Sequence, residues 1–198
     1  MSDWIEQILS AWTGHRTFAE WLVNYKKPAV IVELGVDYGY STFVFGQALK
    51  NGGVEGVIHG VDLFEGDPHA GTRNTFDFVH GKIAEHGLGK QINIIKDDFR
   101  RLGANWTTPV DVLHIDGFHS YEAVKGDFES WVRHVKDDGI VIFHDTAIPQ
   151  FGVKDFFREL DAGGKKAQFF HSAGLGIWTR NEKLMNDILM MFANCQKY

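Results

Sequence analysis

The chain has 198 residues, of which 44% are hydrophobic, and its formal net charge is −6 at pH 7. That length and composition predict one globular domain, residues 1–198, large enough to bury a sizeable core. The negative charge and the lack of a basic run argue against nucleic acid or an anionic membrane surface as the main partner. The single cysteine, Cys195, excludes an intrachain disulfide and a cysteine zinc cluster, and no apolar run is long enough for a membrane span. We therefore predict a soluble, cytoplasmic protein.

Residues 1–28 are predicted to form an N-terminal helical extension of the domain. Apolar side chains recur with helical spacing on both sides of Gly14, which indicates two helices or one broken helix. They are Ile5, Ile8, Leu9, Trp12, Phe18, Trp21, Leu22 and Tyr25. Two interpretations of the tryptophans stay open: packing against a sheet, which is favoured, and a homodimer surface.

The next stretch, residues 29–49, predicts a strand, a tight turn and a helix. A β-branched run ends at Glu33, two glycines follow, and Ser41 and Thr42 can cap the helix. Glycine is needed where the backbone turns sharply or lets a ligand approach, and the start of a helix offers unpaired N–H groups. The turn therefore predicts a small-molecule site, with these candidate residues: Glu33, Gly35, Tyr38, Gly39, Ser41 and Thr42.

The spacing of the glycines narrows the choice of ligand. A dinucleotide fingerprint needs glycine at positions 35, 37 and 40, but Asp37 and Tyr40 stand at two of them. This spacing argues against an NAD-type Rossmann oxidoreductase, which is kept as an alternative. A P-loop needs a lysine, and none occurs between the turn and Lys50. The pattern that remains, from Glu33 to Gly39, is E-x-G-x-x-x-G. Besides a small-molecule site, it is open to a second interpretation, a structural turn that binds no ligand.

A second buried strand is predicted over residues 56–63, and it brings Asp62 to its end. A carboxylate there can accept hydrogen bonds from two ribose hydroxyls, so Asp62 and the adjacent Leu63 are predicted to bind a nucleoside. The alternative for Asp62 is a loop cap. The polar, glycine-rich loop that follows, residues 64–73, is predicted to be a lid over the site, with Asp67 and His69 as substrate contacts.

A third strand is predicted at residues 91–96, and two acids follow it. Asp98 suits the N-cap of the next helix, so its neighbour Asp97 is predicted to reach the adenine amino group.

The fourth and fifth strands each end in an acid and a histidine. Asp116 and His119 follow the strand at residues 110–116, and His144 and Asp145 follow the next strand. Open α/β sheets place their ligands at the carboxyl ends of the strands. We therefore expect the two clusters to converge at one cleft.

The remaining segments complete the fold. They are a helix at 151–160, two strands at 166–171 and 174–180 that form a hairpin, and a helix at 184–192. Strand and helix alternate five times before the hairpin. This order predicts an α/β fold with a Rossmann-like, doubly wound, mainly parallel sheet and helices on both of its faces.

Several longer motifs make a family resemblance specific. They are G-D-P-H-A-G at 66–71, H-I-D-G-x-H-S-Y-E-A-V-K-x-D at 114–127, F-H-D-T at 143–146 and H-S-A-G-L-G at 171–176. With the glycine turn, residues 29–180 resemble class I S-adenosylmethionine-dependent methyltransferases of the methyltransferase-24 type. These are related to macrolide sugar O-methyltransferases and cephalosporin hydroxylase-like proteins. The resemblance implies a seven-stranded sheet whose last hairpin supplies the only antiparallel strand, with S-adenosylmethionine at the end of the first strand.

The same resemblance implies a function and a set of catalytic residues. The expected reaction is O-methylation of a hydroxyl on a sugar, a polysaccharide or a small natural product. In the D-x-x-H pattern, Asp116 corresponds to a metal-binding aspartate that also lies beside the cofactor, and His119 to the catalytic base. Asp145 corresponds to a second metal ligand, for Mg²⁺ or Mn²⁺, and Tyr121 is expected to contact substrate.

His144 is the third candidate metal ligand, although it departs from the pattern, because the relatives carry an acid there. A neutral imidazole suits magnesium less well than manganese, iron or zinc. Two other interpretations stay open: a core hydrogen bond for His144, and an exposed helix-start position for His119. A noncatalytic nucleoside-binding or assembly protein would be favoured if Asp116, His119 and Asp145 lay far apart.

Overall fold

The computed structural model describes residues 3–67 and 71–198. Eight strands form one sheet in the order β10-β8-β9-β7-β6-β1-β2-β5. They are β1 (Val30–Leu34), β2 (Val57–Asp62), β5 (Ile92–Lys96), β6 (Val110–Ile115), β7 (Val135–His144), β8 (Lys165–Phe169), β9 (Leu175–Thr179) and β10 (Cys195–Lys197). Two short strands, β3 (Gly66–Asp67) and β4 (Gly71–Thr72), pair separately from it.

The predicted fold class is confirmed, with two corrections. The strands β1, β2, β5, β6 and β7 pair in parallel, as a doubly wound fold requires. The sheet has eight strands rather than seven, because residues 195–197 pair with β8. Both β9 and β10 run antiparallel to β8, so the hairpin does not supply the only antiparallel strand. Three residues after a helix carry too short a pattern to predict a strand from sequence.

Seven α-helices cover the two faces of the sheet in the described ranges. They are α1 (Arg16–Lys26), α2 (Tyr40–Asn51), α3 (Phe76–Glu85), α4 (Phe99–Asn105), α5 (Tyr121–Trp131), α6 (Gly152–Glu159) and α7 (Glu182–Met191). The N-terminal extension consists of 3-10 turns at Ile5–Gln7 and Ala11–His15 followed by α1. None of the described helices combines the length and the apolar character that a membrane crossing needs.

Side chains of each strand alternate between two hydrophobic clusters. Ile31 of β1 belongs to the cluster that includes residues of α1, α2 and α7, whereas its neighbour Val32 belongs to the cluster that includes residues of α5 and α6. This alternation follows from the two-residue period of a strand. Burial on both faces leaves the carboxyl ends of the parallel strands as the place where polar side chains gather.

Candidate functional site

The carboxyl ends of the parallel strands open into a cavity of about 510 Å³. Its wall consists of the loops after β1, β2, β5, β6 and β7, together with residues 8–11 of the extension. Ten of the predicted site residues line it: Gly35, Tyr38, Gly39, Ser41, Asp62, Leu63, Asp116, His119, His144 and Asp145. The two clusters that sequence analysis expected to converge therefore do so.

The glycine turn after β1 brings two strand ends into contact. Gly35 has a φ of 98°, and a Cβ there would overlap the carbonyl oxygen of Asp116. Gly39 has a φ of 80° and lies directly before α2, and a Cβ there would meet the ring of Phe43. Only glycine meets both demands, left-handed backbone and close approach, without strain.

The start of α2 differs from the prediction. The N-cap is Gly39, so Ser41 and Thr42 lie inside the first turn and cap nothing. The hydroxyl of Thr42 instead donates a hydrogen bond to Glu33. Because Gly39 turns the chain, the helix begins at Tyr40, one residue before the predicted cap.

The carboxylate of Asp62 stabilises the glycine turn and the start of the next loop through hydrogen bonds to their backbone. Its Oδ2 accepts the backbone N–H groups of Val36 at 2.8 Å and Asp37 at 3.1 Å, and its Oδ1 accepts that of Phe64 at 2.7 Å. A carboxylate can accept about four hydrogen bonds. Asp62 therefore holds the turn, still has one acceptor position, and lines the cavity.

Glu33 does not line the cavity, although it was predicted to bind the cofactor. It is fully buried, and it accepts hydrogen bonds from Thr42 and, at 2.9 Å, from Nδ1 of His114. The indole of Trp12 donates to Nε2 of His114 at 3.1 Å, so Nδ1 is the nitrogen that carries the hydrogen. Glu33 thus supports the glycine turn from within the core and links it to the N-terminal extension.

Two further predicted residues lie outside the cavity wall. Asp97 accepts hydrogen bonds from the Arg101 guanidinium, with Nε at 2.7 Å. Its neighbour Asp98 caps α4, as predicted, and also lines the cavity. The hydroxyl of Tyr121 donates to Glu159 at 3.1 Å, and Tyr121 does not line the cavity.

The predicted lid is described only in part. His69 and the side chain of Asp67 lie outside the described residues, so their predicted substrate contacts stay predictions. From the rest of the loop, Gly66 and Arg73 line the cavity. The sequence did not predict the aromatic wall formed by Phe99, Phe118 and Phe151. Phe118 and Phe151 lie in loops and Phe99 begins the short helix α4, so none of them carries a clear periodic signal.

His119 forms an acid–histidine pair with Asp145. Its Nε2 lies 2.9 Å from Oδ2 of Asp145, and its ring stacks on Phe151 with centroids 4.3 Å apart. Asp145 has a φ of 62°, a left-handed conformation that is uncommon outside glycine and that often marks functional sites. Burial alone would raise the pKa of Asp145, but the hydrogen bonds with His119 and His144 hold it well below its usual range.

The ring of His144 lies between two carboxylates. Its Nδ1 is 3.2 Å from Oδ1 of Asp116 and 3.2 Å from Oδ2 of Asp145, and its Nε2 is 3.2 Å from the carbonyl oxygen of Ser172. A carbonyl oxygen only accepts, so Nε2 carries a hydrogen. Burial lowers the pKa of His144, but the two carboxylates outweigh burial and raise it to about 10. The predicted core hydrogen bond of His144 is therefore present.

The same three side chains have the spacing of a metal site. One ligand atom from each of Asp116, His144 and Asp145 lies within 4.8 Å of the others. Metal-binding histidines usually donate their second N–H to a backbone carbonyl or a carboxylate, as His144 does to Ser172. Two carboxylate oxygens and one imidazole nitrogen fit a divalent ion with mixed oxygen and nitrogen ligands.

Comparison with solved structures shows the same fold in several methyltransferases. A methyltransferase from Geobacter sulfurreducens has a TM-score of 0.67 and 14% identity, over 89% of this chain and 87% of that chain. SAH-bound PaMTH1 from Podospora anserina has a TM-score of 0.66 and 12% identity, over 88% and 89%. The O-methyltransferase TomG from Streptomyces achromogenes, in complex with SAM, has a TM-score of 0.63 and 15% identity, over 90% of each chain.

Comparison of sequences identifies a relative and a family. The uncharacterized protein y4gI of Sinorhizobium fredii is 35% identical over 179 residues, which are 85% of this chain and 19% of that protein. The chain thus spans about a fifth of the length of this relative. The model of the methyltransferase-24 family, described as a methyltransferase domain, matches residues 32–146. Because this match covers more than half of the chain, the protein belongs to the methyltransferase-24 family of class I S-adenosylmethionine-dependent methyltransferases.

Proposed function

We propose that the protein transfers a methyl group from S-adenosylmethionine to a hydroxyl of a sugar, a polysaccharide or a small natural product. One observation carries the proposal: the glycine turn and the His119–Asp145 pair line the same cavity. A cofactor held by the turn would therefore lie beside a base. An NAD-dependent oxidoreductase would need a different glycine spacing, and a noncatalytic nucleoside binder would not need the paired histidine and acid.

The cofactor site is built from the turn and the end of β2. We place the methionine part of the cofactor against Gly35 and Gly39, and the ribose against the remaining acceptor position of Asp62. Tyr38 and Leu63 are 39% and 44% exposed at the cavity and offer apolar surface to the adenosine. Asp98, rather than Asp97, is the acid in reach of the adenine amino group, because only Asp98 lines the cavity.

His119 is proposed as the general base. When Nε2–H donates to Asp145, the basic lone pair of the ring is on Nδ1. Nδ1 is a buried atom, so it would take the hydroxyl proton of an acceptor that enters the cavity deeply enough to reach it. Stacking on Phe151 restricts rotation of the ring. The low pKa of Asp145 keeps its carboxylate ionised, so it stabilises the imidazolium that forms on His119.

We further propose that Asp116, His144 and Asp145 hold a divalent cation. The imidazole favours manganese, iron or zinc over magnesium. A bound ion would orient the acceptor hydroxyl and make it more acidic. His144 would hold the ion through Nδ1 while Nε2–H remains hydrogen-bonded to the carbonyl of Ser172. For this, Nδ1 would have to release to solvent the proton that faces Asp116 and Asp145.

Two experiments test the proposal. Calorimetry should show binding of S-adenosylhomocysteine, whereas retention of NAD by the native protein and no binding of S-adenosylhomocysteine would reject the cofactor assignment. Transfer of a labelled methyl group should be detected with at least one member of a panel of sugars and phenols, and excess chelator should inhibit it reversibly. Full activity in chelator would reject the cation and leave His119 as a metal-free base.

A further inference from the structure

The turn between β8 and β9, residues 171–174, enters the proposed function only through the carbonyl of Ser172, which accepts from His144. Three consecutive residues of this turn are left-handed: Ser172 with a φ of 52°, Ala173 with 66° and Gly174 with 91°. The first two carry side chains, which disfavour this conformation. Such a conformation persists only where the surrounding structure holds it. Contacts with neighbouring segments must therefore hold the turn in this conformation.

Each of the three residues contacts the chain that carries the acid–histidine cluster. The Ser172 carbonyl accepts the Nε2–H of His144 at 3.2 Å. The Ala173 carbonyl accepts the backbone N–H of Ala147 at 2.8 Å. Gly174 lies so close that a Cβ there would overlap the Ala147 nitrogen. The turn is thus joined to both sides of Asp145, the residue between His144 and the loop that follows β7.

A second histidine reaches the same carbonyl from the N-terminal extension. Nε2 of His15 lies 3.1 Å from the Ser172 oxygen, and His15 is 1% exposed. A peptide carbonyl has two lone pairs, so His15 and His144 together use both of them. Gly14 fits closely against the same residue, since a Cβ there would overlap the Ser172 hydroxyl. The extension therefore holds the Ser172 carbonyl in the direction that His144 requires.

We propose that the turn at 171–174, with His15 as the second donor to Ser172, orients the His144 ring toward Asp116 and Asp145. His15 and Gly174 are positioning residues, because neither lines the cavity. His15 acts through Ser172 and through the edge-on contact of its ring with that of His144, whose centroids are 5.8 Å apart, and Gly174 acts through Ala147. The orientation of His144 is a property of the folded chain and does not depend on the proposed function. Only the expected effect on metal binding rests on the proposed function.

Two pairs of variants separate positioning from general damage to the fold. His15→Met removes the donor and keeps a buried side chain of similar size, whereas His15→Gln keeps an N–H donor. Gly174→Ala places a Cβ against the Ala147 nitrogen. Gly163→Ala is its matched control, because Gly163 also has a positive φ, 70°, but a Cβ there meets nothing within 4 Å. Both glycine variants lose stability because an alanine must adopt a left-handed backbone conformation. Only Gly174→Ala also disturbs the turn at 171–174.

The primary measurement is nuclear magnetic resonance of protein labelled with ¹⁵N at histidine, with the His144 ring assigned from His144→Gln. In His15→Met and Gly174→Ala the His144 ring resonances should move; in His15→Met the change should exceed that in His15→Gln, because both variants lose the His15 ring, whose centroid lies 5.8 Å from that of His144, and only His15→Met also loses the donor. In Gly163→Ala the resonances should stay near their wild-type positions. The second measurement is Mn²⁺ affinity by calorimetry. It should fall by about 10–100-fold in the first two variants, the usual effect of losing a partner of a metal ligand.

The proposal would be overturned if the His144 resonances were the same in His15→Met as in His15→Gln and were unchanged in Gly174→Ala. If His15→Met does not fold, the comparison of Gly174→Ala with Gly163→Ala decides, and equal effects of the two would also overturn it. Failure of the wild-type protein to bind Mn²⁺ would reject the cation of the proposed function. The resonances of His144 would still decide the role of the turn.

Discussion

Asp62 has two roles in the proposed site, and one substitution can separate them. Asp62→Ala removes the two carboxylate oxygens that accept three backbone N–H groups, at 2.7–3.1 Å, and that are proposed to accept a ribose hydroxyl as well. A hydrogen bond to a charged group contributes about 1.5–3 kcal/mol. Loss of the ribose contact alone should therefore weaken binding of S-adenosylhomocysteine by about 10–150-fold. Release of the turn from Val36 and Asp37 should add to this loss.

The assay is calorimetry with two ligands, S-adenosylhomocysteine and its 2′,3′-dideoxy analogue, against wild type and Asp62→Ala. In wild type the analogue should bind more weakly, because it lacks the hydroxyl that donates to Asp62. In Asp62→Ala the difference between the two ligands should shrink, since the partner of that hydroxyl is gone. Asp161→Ala, an exposed aspartate that does not line the cavity, controls for the change in net charge.

The difference between the two ligands is the decisive quantity. If the analogue is disfavoured to the same extent in Asp62→Ala and in wild type, Asp62 does not bind the ribose. Its carboxylate would then serve only to hold the backbone of the glycine turn, and another group would have to bind the ribose hydroxyls.

Three further predictions follow from the cluster and from α5. His119→Ala should lower the rate of methyl transfer by about 10²–10⁴-fold and leave the affinity for S-adenosylhomocysteine nearly unchanged in calorimetry; an unchanged rate would exclude His119 as the base. Asp145→Ala should lower both Mn²⁺ affinity and rate, and a loss of rate with intact Mn²⁺ binding would contradict its role as a ligand. Burial raises the pKa of Asp127 to about 7 despite Arg100. Below about pH 4 the carboxyl group is protonated in both the folded and the unfolded protein and does not destabilise the fold, but the folded state loses this stability as the pH rises through about 7. Asp127→Asn should therefore gain up to about 4 kcal/mol over wild type between pH 4 and pH 8 in urea unfolding, because each pKa unit corresponds to about 1.4 kcal/mol; parallel pH profiles of the two proteins would refute this.

The sequence by itself determined the features that depend on neighbouring residues. The alternation of strands and helices, the glycine turn at Gly35 and Gly39, and the cap at Asp98 all follow from patterns a few residues long. The placement of Asp116 and Asp145 in one cleft was also predictable, because parallel strands end at the same edge of a sheet. These features combine local backbone preferences with one rule of topology.

Only the tertiary structure decided which polar side chains face the cavity and what holds the others. Glu33 is turned into the core by His114, which is 81 residues away, and His114 is in turn held by Trp12 at a separation of 102 residues. The carbonyl of Ser172, which orients His144, comes from a turn 28 residues further along the chain. No local period encodes such pairs. A buried polar atom takes whichever partner the packed fold brings within hydrogen-bond distance, because leaving it unpaired costs about 1–3 kcal/mol.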